Sequence, residues 1–458
     1  MKKTIGQIGK LIEVKKDASF DDTLITGICF DTRQIKKGDL FIPFVGDTRD
    51  GHTFVKQAIE LGAAAAFWQK DVPHPPTDFP IMIVEDTLLA LQELSKQYLA
   101  EVKPTVIAIT GSNGKTTTKD IASATIRSKY RVHATKGNFN NHIGLPYTIL
   151  TMPEDTEVAI LEMGMNHRYE IEKLSLIAEP DMAIITNIGE AHIEYLGSRD
   201  EIAKAKLEIT AGLKENGLLI YPNEEALIRK HLDKERGYQT ATFGREQTAS
   251  IYPLSIDTKS DGTSFTTNWA ADVPVFVPII GEHNVYNTMA VMLAAKALDI
   301  STLEVQTALK SMERSKSRLE WLTAPNGTKI LNDAYNSSPT ALKAVLNTFM
   351  HMDSEGKAKK ILVADMLELG EDSERFHRES GEILQKGSID SVFAYGEAMS
   401  AFCEACASQI GQEKIHYFKT KEALQEAILA DVDGNEWLLV KGSYGMGLKD
   451  IVEKLMIG

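Results

Sequence analysis

The residues best equipped for chemistry are Gly111-Ser112-Asn113-Gly114-Lys115-Thr116-Thr117. Glycines let a backbone approach an anionic oxygen closely, and the free N–H groups of a helix start present a positive dipole end to it. A lysine at the end of such a loop reaches β- and γ-phosphates, and a hydroxyl such as that of Thr116 is a ligand for Mg²⁺. The bland alternative is a glycine-rich strand-to-helix turn with a capping threonine. Context speaks against it. The preceding segment TVIAIT, Thr105 to Thr110, is a β-branched run of the buried parallel-strand kind, and a helix is expected to follow through about Ser128. The loop departs from the common phosphate loop in one respect: Ile109 stands where the first glycine would be, which leaves G-x-x-G-K-T.

Four further groups follow in order. Thr135 to Pro146 is dense in amides and glycine and includes Asn138; alone, it reads as a turn. Glu162 ends a predicted strand, where an α/β sheet presents its ligands, and could hold Mg²⁺. His192, after another strand, could bind a second metal ion, although a single histidine is usually structural. Ala203-Lys204-Ala205-Lys206-Leu207-Glu208 reads alone as a solvated helical face.

These groups need elements to position them. Val158 to Glu162 and Met182 to Thr186 are further buried-strand candidates, so the middle of the chain is expected to be a parallel sheet with crossover helices. Ala249 to Val277, richer in Thr and Asp and more alternating, predicts a small antiparallel insertion. The organisation changes near residue 103. Before it, Gly27 to Phe30 and Leu40 to Val45 are apolar runs, Phe54 to Ala66 predicts an alanine-rich helix, and Asp71 to Pro76 is a loop. After about Ser317, strands are expected at Lys329–Asn332, Ile361–Ala364, Val392–Tyr395 and Trp437–Val440, with helices between them. The expected class is therefore α/β with three domains: a small mixed α/β domain over 1–102, a central P-loop-type parallel-sheet domain over 103–316, and a Rossmann-like doubly wound domain over 317–458.

The totals exclude several classes. The 458 residues are 43% hydrophobic and 25% charged, as expected of a globular chain. A net charge of −14 opposes broad nucleic-acid binding, though a local phosphate pocket built on backbone N–H groups remains compatible with it. No apolar run of about 18 residues is present, so no membrane insertion is expected, and the Met1–Lys10 segment has no apolar signal-peptide core after it. Three cysteines suit a reducing cytoplasm. Cys403 and Cys406 form a C-x-x-C pair, but they fall in an expected amphipathic helix from Glu397 to Ile410 with no second Cys/His pair beside it.

Taken together, the short loop, Glu162, His192, the Lys204/Lys206 helix and Gly281-x-His283-Asn284-x-x-Asn287 resemble the Mur ligases. Phosphate-loop kinases and switch ATPases fit the short loop less well. The resemblance implies an ATP-dependent amide-bond ligase with two Mg²⁺ ions, one served by Thr116 and Glu162, the other by His192 and a CO₂-derived carbamate on Lys206. Gly111 to Thr117, Asn284, Asn287, Arg318 and Asp333 would contact ATP. Lys115, Asn138, His192, Lys206, Arg318 and Asp333 would be the catalytic set. At the front, Asp31-Thr32-Arg33 and the Gly46 to Phe54 segment, with Arg49, Asp50 and His52, resemble the signatures that hold a UDP-linked substrate; Arg suits a diphosphate because it makes bidentate contacts. At the back, Asp333-Ala334-Tyr335-Asn336-x-x-Pro339 and Asp365-Met366-Leu367-Glu368-Leu369-Gly370 resemble the branch that adds D-alanyl-D-alanine to a UDP-N-acetylmuramoyl-tripeptide, with Tyr335 and Asn336 shaping the dipeptide site. The sibling branch that adds a diamino acid lacks that pattern. One position departs: the family often carries Arg after Lys441-Gly442-Ser443, where this chain has Tyr444. The resemblance further implies a cytoplasmic bacterial monomer.

Overall fold

The computed structural model describes residues 1–46, 48–233, 235–313 and 315–457. Asp47, inside the second front signature, lies outside them.

The middle of the chain forms a six-stranded, all-parallel sheet in the order Gln239–Phe243, Leu218–Pro222, Met182–Ile185, Thr105–Thr110, Val158–Glu162, Val132–Ala134. Every residue of Val158–Glu162 is buried, because helices cover both faces and a parallel strand must then be apolar throughout. Thr105–Thr110 lies where the order reverses: successive strands go to one side of it, later ones to the other. Open α/β sheets bind ligands beyond the strand ends at such a point. Pro253–Thr258, Thr263–Thr267 and Ala270–Val277 form the separate antiparallel sheet expected of the insertion.

The last third is a second six-stranded sheet in the order Glu320–Thr323, Lys329–Asp333, Glu436–Lys441, Ala358–Ala364, Ser391–Tyr395, Ile415–Phe418. Only its first strand is antiparallel. The carboxyl ends of its middle strands carry Asp333, Lys441 and the 365–369 loop to one edge. At the front, four parallel strands, Gly27–Cys29, Asp39–Phe41, Ala65–Gln69 and Ile81–Val84, pair in sequence order. Apolar packing continues across both junctions: one cluster links Ile109, Val285 and Leu346, and another links Ile28, Leu94 and Leu161.

One expectation fails in the front third. The alanine-rich run does not form one helix. The helix is Val55–Glu60, Gly62 turns the chain at φ +105°, and Ala65–Gln69 is a strand. Alanine favours a helix by only tenths of a kcal/mol over ordinary residues. Here Ala65 and Ala66, both fully buried, pair with Leu40 and Phe41 on one side, and Ala66 pairs with Ile81 on the other. The apolar run Leu40–Val45 contributes to the strand Asp39–Phe41, and Pro43 beyond it cannot donate to a ladder. Cys403 and Cys406 are buried in the helix Met399–Ile410, where burial pushes both thiols up to about 12, the setting of packed rather than reactive cysteines.

Candidate active site

The loop leaving Thr105–Thr110 is shaped by two glycines. Gly111 has φ +147°, and a Cβ there would lie 1.9 Å from Thr186 Oγ1. Gly114, at φ +80°, caps the helix Lys115–Ile126, and the Asn287 amide sits 3.0 Å from where its Cβ would be. Neighbouring strand ends brace the turn. The amide N–H of Asn113 donates to Asn187 Oδ1 (3.0 Å) and that of Ser112 to the Asn187 carbonyl (3.1 Å). Lys115 Nζ donates to the Gly111 and Ser112 carbonyls at 2.8 and 3.3 Å, and burial lowers the pKa of its ammonium.

Thr116 and Glu162 meet as expected: the hydroxyl donates to Glu162 Oε2 at 2.8 Å, both residues being buried. The other oxygen, Oε1, accepts from Asn140 Nδ2 (2.8 Å). Asn140 and Asn187 are site residues that sequence reasoning passed over; both lie in motifs it noticed, but which amide of several faces the site depends on the folded loop. Among the described residues no three His, Cys, Asp or Glu side chains converge into a metal cage. Mg²⁺ needs none, because it keeps several waters and takes one or two carboxylates plus substrate phosphates.

Lys204 and Lys206 separate cleanly. Lys204 is tied to Asp200 and Glu201. Lys206 is fully buried, its Nζ has no hydrogen-bond partner, and burial, with Lys115 adding, drives its amine well below the usual lysine range. His192 has φ +65°, and its Nδ1 lies 2.6 Å from Glu368 Oε2 of the last third. Burial, with Lys115 and Lys206 near, holds the imidazole below its usual pKa, so a neutral ring with the proton on Nδ1 fits that contact.

The last third closes the site. Asp333 accepts from the Leu319 amide N–H (3.2 Å) and from Lys441 Nζ (2.5 Å), and Arg318 stacks 4.0 Å from the Tyr335 ring centroid. A cavity of about 890 Å³ is walled by the phosphate loop, Asn138, Glu162, His192, Asn284 and Asn287 from the centre and by Arg318, Asp333, Tyr335, Asn336 and Lys441 from the last third. Asn287 Nδ2 donates to Asn284 Oδ1 (3.1 Å), and the Asn287 amide backs the Gly114 turn. Lys206 lies behind the wall rather than in it.

The front signature is less tidy. Asp31 caps the turn Thr32–Gln34 and pairs with Arg33, whose guanidinium holds that carboxyl down at about 2; the arginine is otherwise exposed. The Gly46 N–H donates to the Arg49 carbonyl, and Arg49 is exposed. His52 departs from the expectation. It is buried, its Nδ1 meets Asp50 Oδ1 at 2.6 Å, and its Nε2 accepts the Gln69 amide N–H at 3.0 Å. No ring nitrogen is left for a diphosphate, so the residue holds a strand instead.

Comparison with known proteins follows the same lines. Residues 109–295 match the Mur ligase middle domain, 317–444 the Mur ligase glutamate ligase domain, and 24–99 the Mur ligase family catalytic domain. This chain belongs to the Mur ligase family. It is 42% identical over 457 residues to the UDP-N-acetylmuramoyl-tripeptide–D-alanyl-D-alanine ligase of Bacillus subtilis, covering 100% of this chain and 99% of that one. The corresponding Escherichia coli ligase is 30% identical over 440 residues, covering 95% and 94%. Among solved structures, MurF from Acinetobacter baumannii superposes with TM-score 0.88 at 26% identity over 100% and 99% of the chains. MurF from Thermotoga maritima in complex with ADP gives 0.80 at 26% over 94% and 97%.

Proposed function

We propose that this chain joins D-alanyl-D-alanine to a UDP-N-acetylmuramoyl-tripeptide at the expense of ATP, yielding the UDP-linked pentapeptide, ADP and phosphate, as a cytoplasmic step of bacterial peptidoglycan synthesis. One observation carries it: a phosphate loop and the strand-end Asp333–Lys441 pair of another domain wall the same cavity. The near-complete overlap with the D-alanyl-D-alanine ligase of B. subtilis supports the choice of substrates. The ADP complex of the T. maritima relative supports ATP as the donor.

A carboxylate is a poor acyl donor, and phosphorylation corrects that. The tripeptide carboxylate attacks the γ-phosphorus in line, ADP leaves, and an acyl phosphate forms. Lys115, released from its own loop carbonyls, stabilises the charge spread over the transferring oxygens. The dipeptide amine then attacks the acyl carbon and phosphate departs. Thr116 and Glu162 would hold one Mg²⁺; His192 and a carbamate on Lys206 would hold a second. Mg²⁺, when bound, neutralises phosphate charge. The buried amine of Lys206, without a partner and depressed in pKa, is suited to take up CO₂, releasing a proton and gaining an anionic oxygen. Arg318 and Asp333 would approach the nucleotide, Asn287, hydrogen-bonded to Asn284, backs its loop, and exposed Arg33 and Arg49 offer their guanidinium groups to the diphosphate of the UDP substrate. The domain limits we assign are 1–102, 103–316 and 317–458, in a monomer.

The test is phosphate release with ATP, Mg²⁺, UDP-muramoyl tripeptide and D-Ala-D-Ala, each omitted in turn, with products weighed by mass spectrometry. Release requiring both substrates and a pentapeptide product is the expected result. Release that ignores the dipeptide would sink the assignment.

A further inference from the structure

A second cavity, of about 710 Å³, adjoins the first and shares Thr116, Asn138, His192, Arg318, Tyr335 and Asn336 with it. Its remaining wall comes largely from two loops of the last third, 365–369 and 442–447. These are stitched together: the Leu367 N–H donates to Ser443 Oγ (2.9 Å) and the Ser443 N–H to the Asp365 carbonyl (3.2 Å). Glu368 and Tyr444 are therefore carried as one unit.

Four features of this wall are not explained by packing. Glu368 sits at φ +62°, a strained setting for a non-glycine residue, and presents a carboxylate of which only Oε2 is engaged, by His192. Ser337 is 6% exposed and its Oγ has no partner. Tyr444 is 71% exposed, yet its ring lies 6.1 Å from that of Tyr335, whose own ring is covered by Arg318. Lys316 and Arg318 add positive charge to the same cavity. A small zwitterionic dipeptide asks for this set: an anion for its ammonium group, a cation for its carboxylate, a polar partner for its amide and a short apolar wall for its methyls.

We propose that this second cavity seats the incoming dipeptide, with Glu368 binding its ammonium end and Tyr444, over Tyr335, walling its side chains. The proposal rests on the ligase reading above and adds to it two selecting residues, one of which replaces the arginine common at this position in the family. Because the cavity opens onto the end of the phosphate site, an ammonium held at Glu368 lies beside the acyl group to be attacked, and it passes a proton to that carboxylate before its nitrogen can attack.

The experiment is steady-state kinetics of the full chain as wild type, Glu368→Gln, Tyr444→Ala and Tyr444→Phe, varying dipeptide, ATP, tripeptide and Mg²⁺ separately. A charge-assisted contact predicts a KM for D-Ala-D-Ala raised about tenfold or more in Glu368→Gln, with the KM for ATP and tripeptide within about twofold. Tyr444→Ala should raise the same KM by about fivefold, and Tyr444→Phe should restore it, since the ring and not the hydroxyl makes the wall. Pentapeptide synthesis with an unchanged dipeptide KM in both Glu368→Gln and Tyr444→Ala overturns the proposal. So does a Glu368→Gln variant altered only in its Mg²⁺ requirement, which would mean that Glu368 acts through His192. Wild-type protein that makes no pentapeptide overturns the ligase reading itself, and the proposal with it.

Discussion

Lys206 is the most telling single residue. An unpaired buried ammonium costs several kcal/mol, so burial pushes the amine pKa down and favours the neutral form. Lys206→Met fills a similar volume without that cost. In CO₂-depleted buffer this variant should melt at least as high as the parent, with a gain of about 1–3 °C. Its phosphate release should nevertheless fall by about 100-fold or more, the scale of a lost electrostatic contact in the transition state. Calorimetry beside the phosphate assay checks both. A parallel loss of stability and activity would make Lys206 a packing residue only. In the wild type, activity lost on CO₂ removal should return with bicarbonate.

At the scale of elements, the phosphate loop and the 365–369 loop are held by different devices. The first depends on backbone freedom. Gly111→Ala would drive a methyl into Thr186, which the strand Met182–Ile185 leads into. Nucleotide affinity measured by calorimetry should drop beyond detection while the far-ultraviolet spectrum stays native, because the clash is confined to the turn. The second loop hangs on His377, fully buried, whose Nε2 accepts the Met366 N–H at 2.9 Å while Nδ1 donates to the Ser373 carbonyl at 2.7 Å. Burial lowers the pKa of His377, and likewise that of His133. Below the unfolded value of about 6.5 the unfolded chain then binds more protons than the native one, so stability falls as the pH falls. The slope is up to about 1.4 kcal/mol per pH unit for each such histidine. Urea midpoints should therefore decline from about pH 6.5 downward and be flat, as far as these groups go, from about 7 to 8. A midpoint that rises on mild acidification would contradict this.

Across the whole molecule, the last third is docked on the centre by the apolar packing that joins Val285 to Leu346 and by a few polar contacts around the phosphate loop. Ser338 Oγ donates to Asn113 Oδ1 (3.0 Å), and Thr340 Oγ1 to Glu190 Oε2 (2.6 Å), at the start of the helix Pro339–His351. Such contacts are individually weak and suit a joint that must open to admit substrates. Thr340→Val, at a residue that itself lines the cavity, removes the hydroxyl contact and keeps the Thr340 N–H to Glu190. It should lower kcat by about three- to tenfold through less frequent closure and leave nucleotide affinity of the central domain within about twofold. Small-angle scattering should show a larger radius of gyration for the variant. Equal scattering and equal kcat would mean that apolar packing alone sets the docking.

Much of the central domain was legible from local pattern. A β-branched run, a G-x-x-G-K-T turn and a following helix obey short-range rules, and Thr105–Thr110 and Val158–Glu162 come out with the boundaries expected. The family resemblance pointed to Thr116, Glu162 and Lys206; in the fold Thr116 meets Glu162, and Lys206 is buried while Lys204 is tied to the carboxylates of Asp200 and Glu201. Where long-range packing outweighs local preference, the reading failed. Ala65–Gln69 is a strand because neighbouring strands claim it, although its leading alanines favour a helix. His52 is consumed by Asp50 and Gln69, which no spacing rule reveals. Asn140, Asn187 and Lys441 meet their partners only once their own domains fold, and Glu368 reaches His192 from 176 positions away only once two domains dock. The sequence by itself determined which backbone can cradle a phosphate and which residue types surround it, because those depend on neighbours along the chain. Tertiary structure alone decided which side chains meet across the cavity and which are spent on holding it together, because hydrogen bonds and burial between distant segments exist only after the domains close.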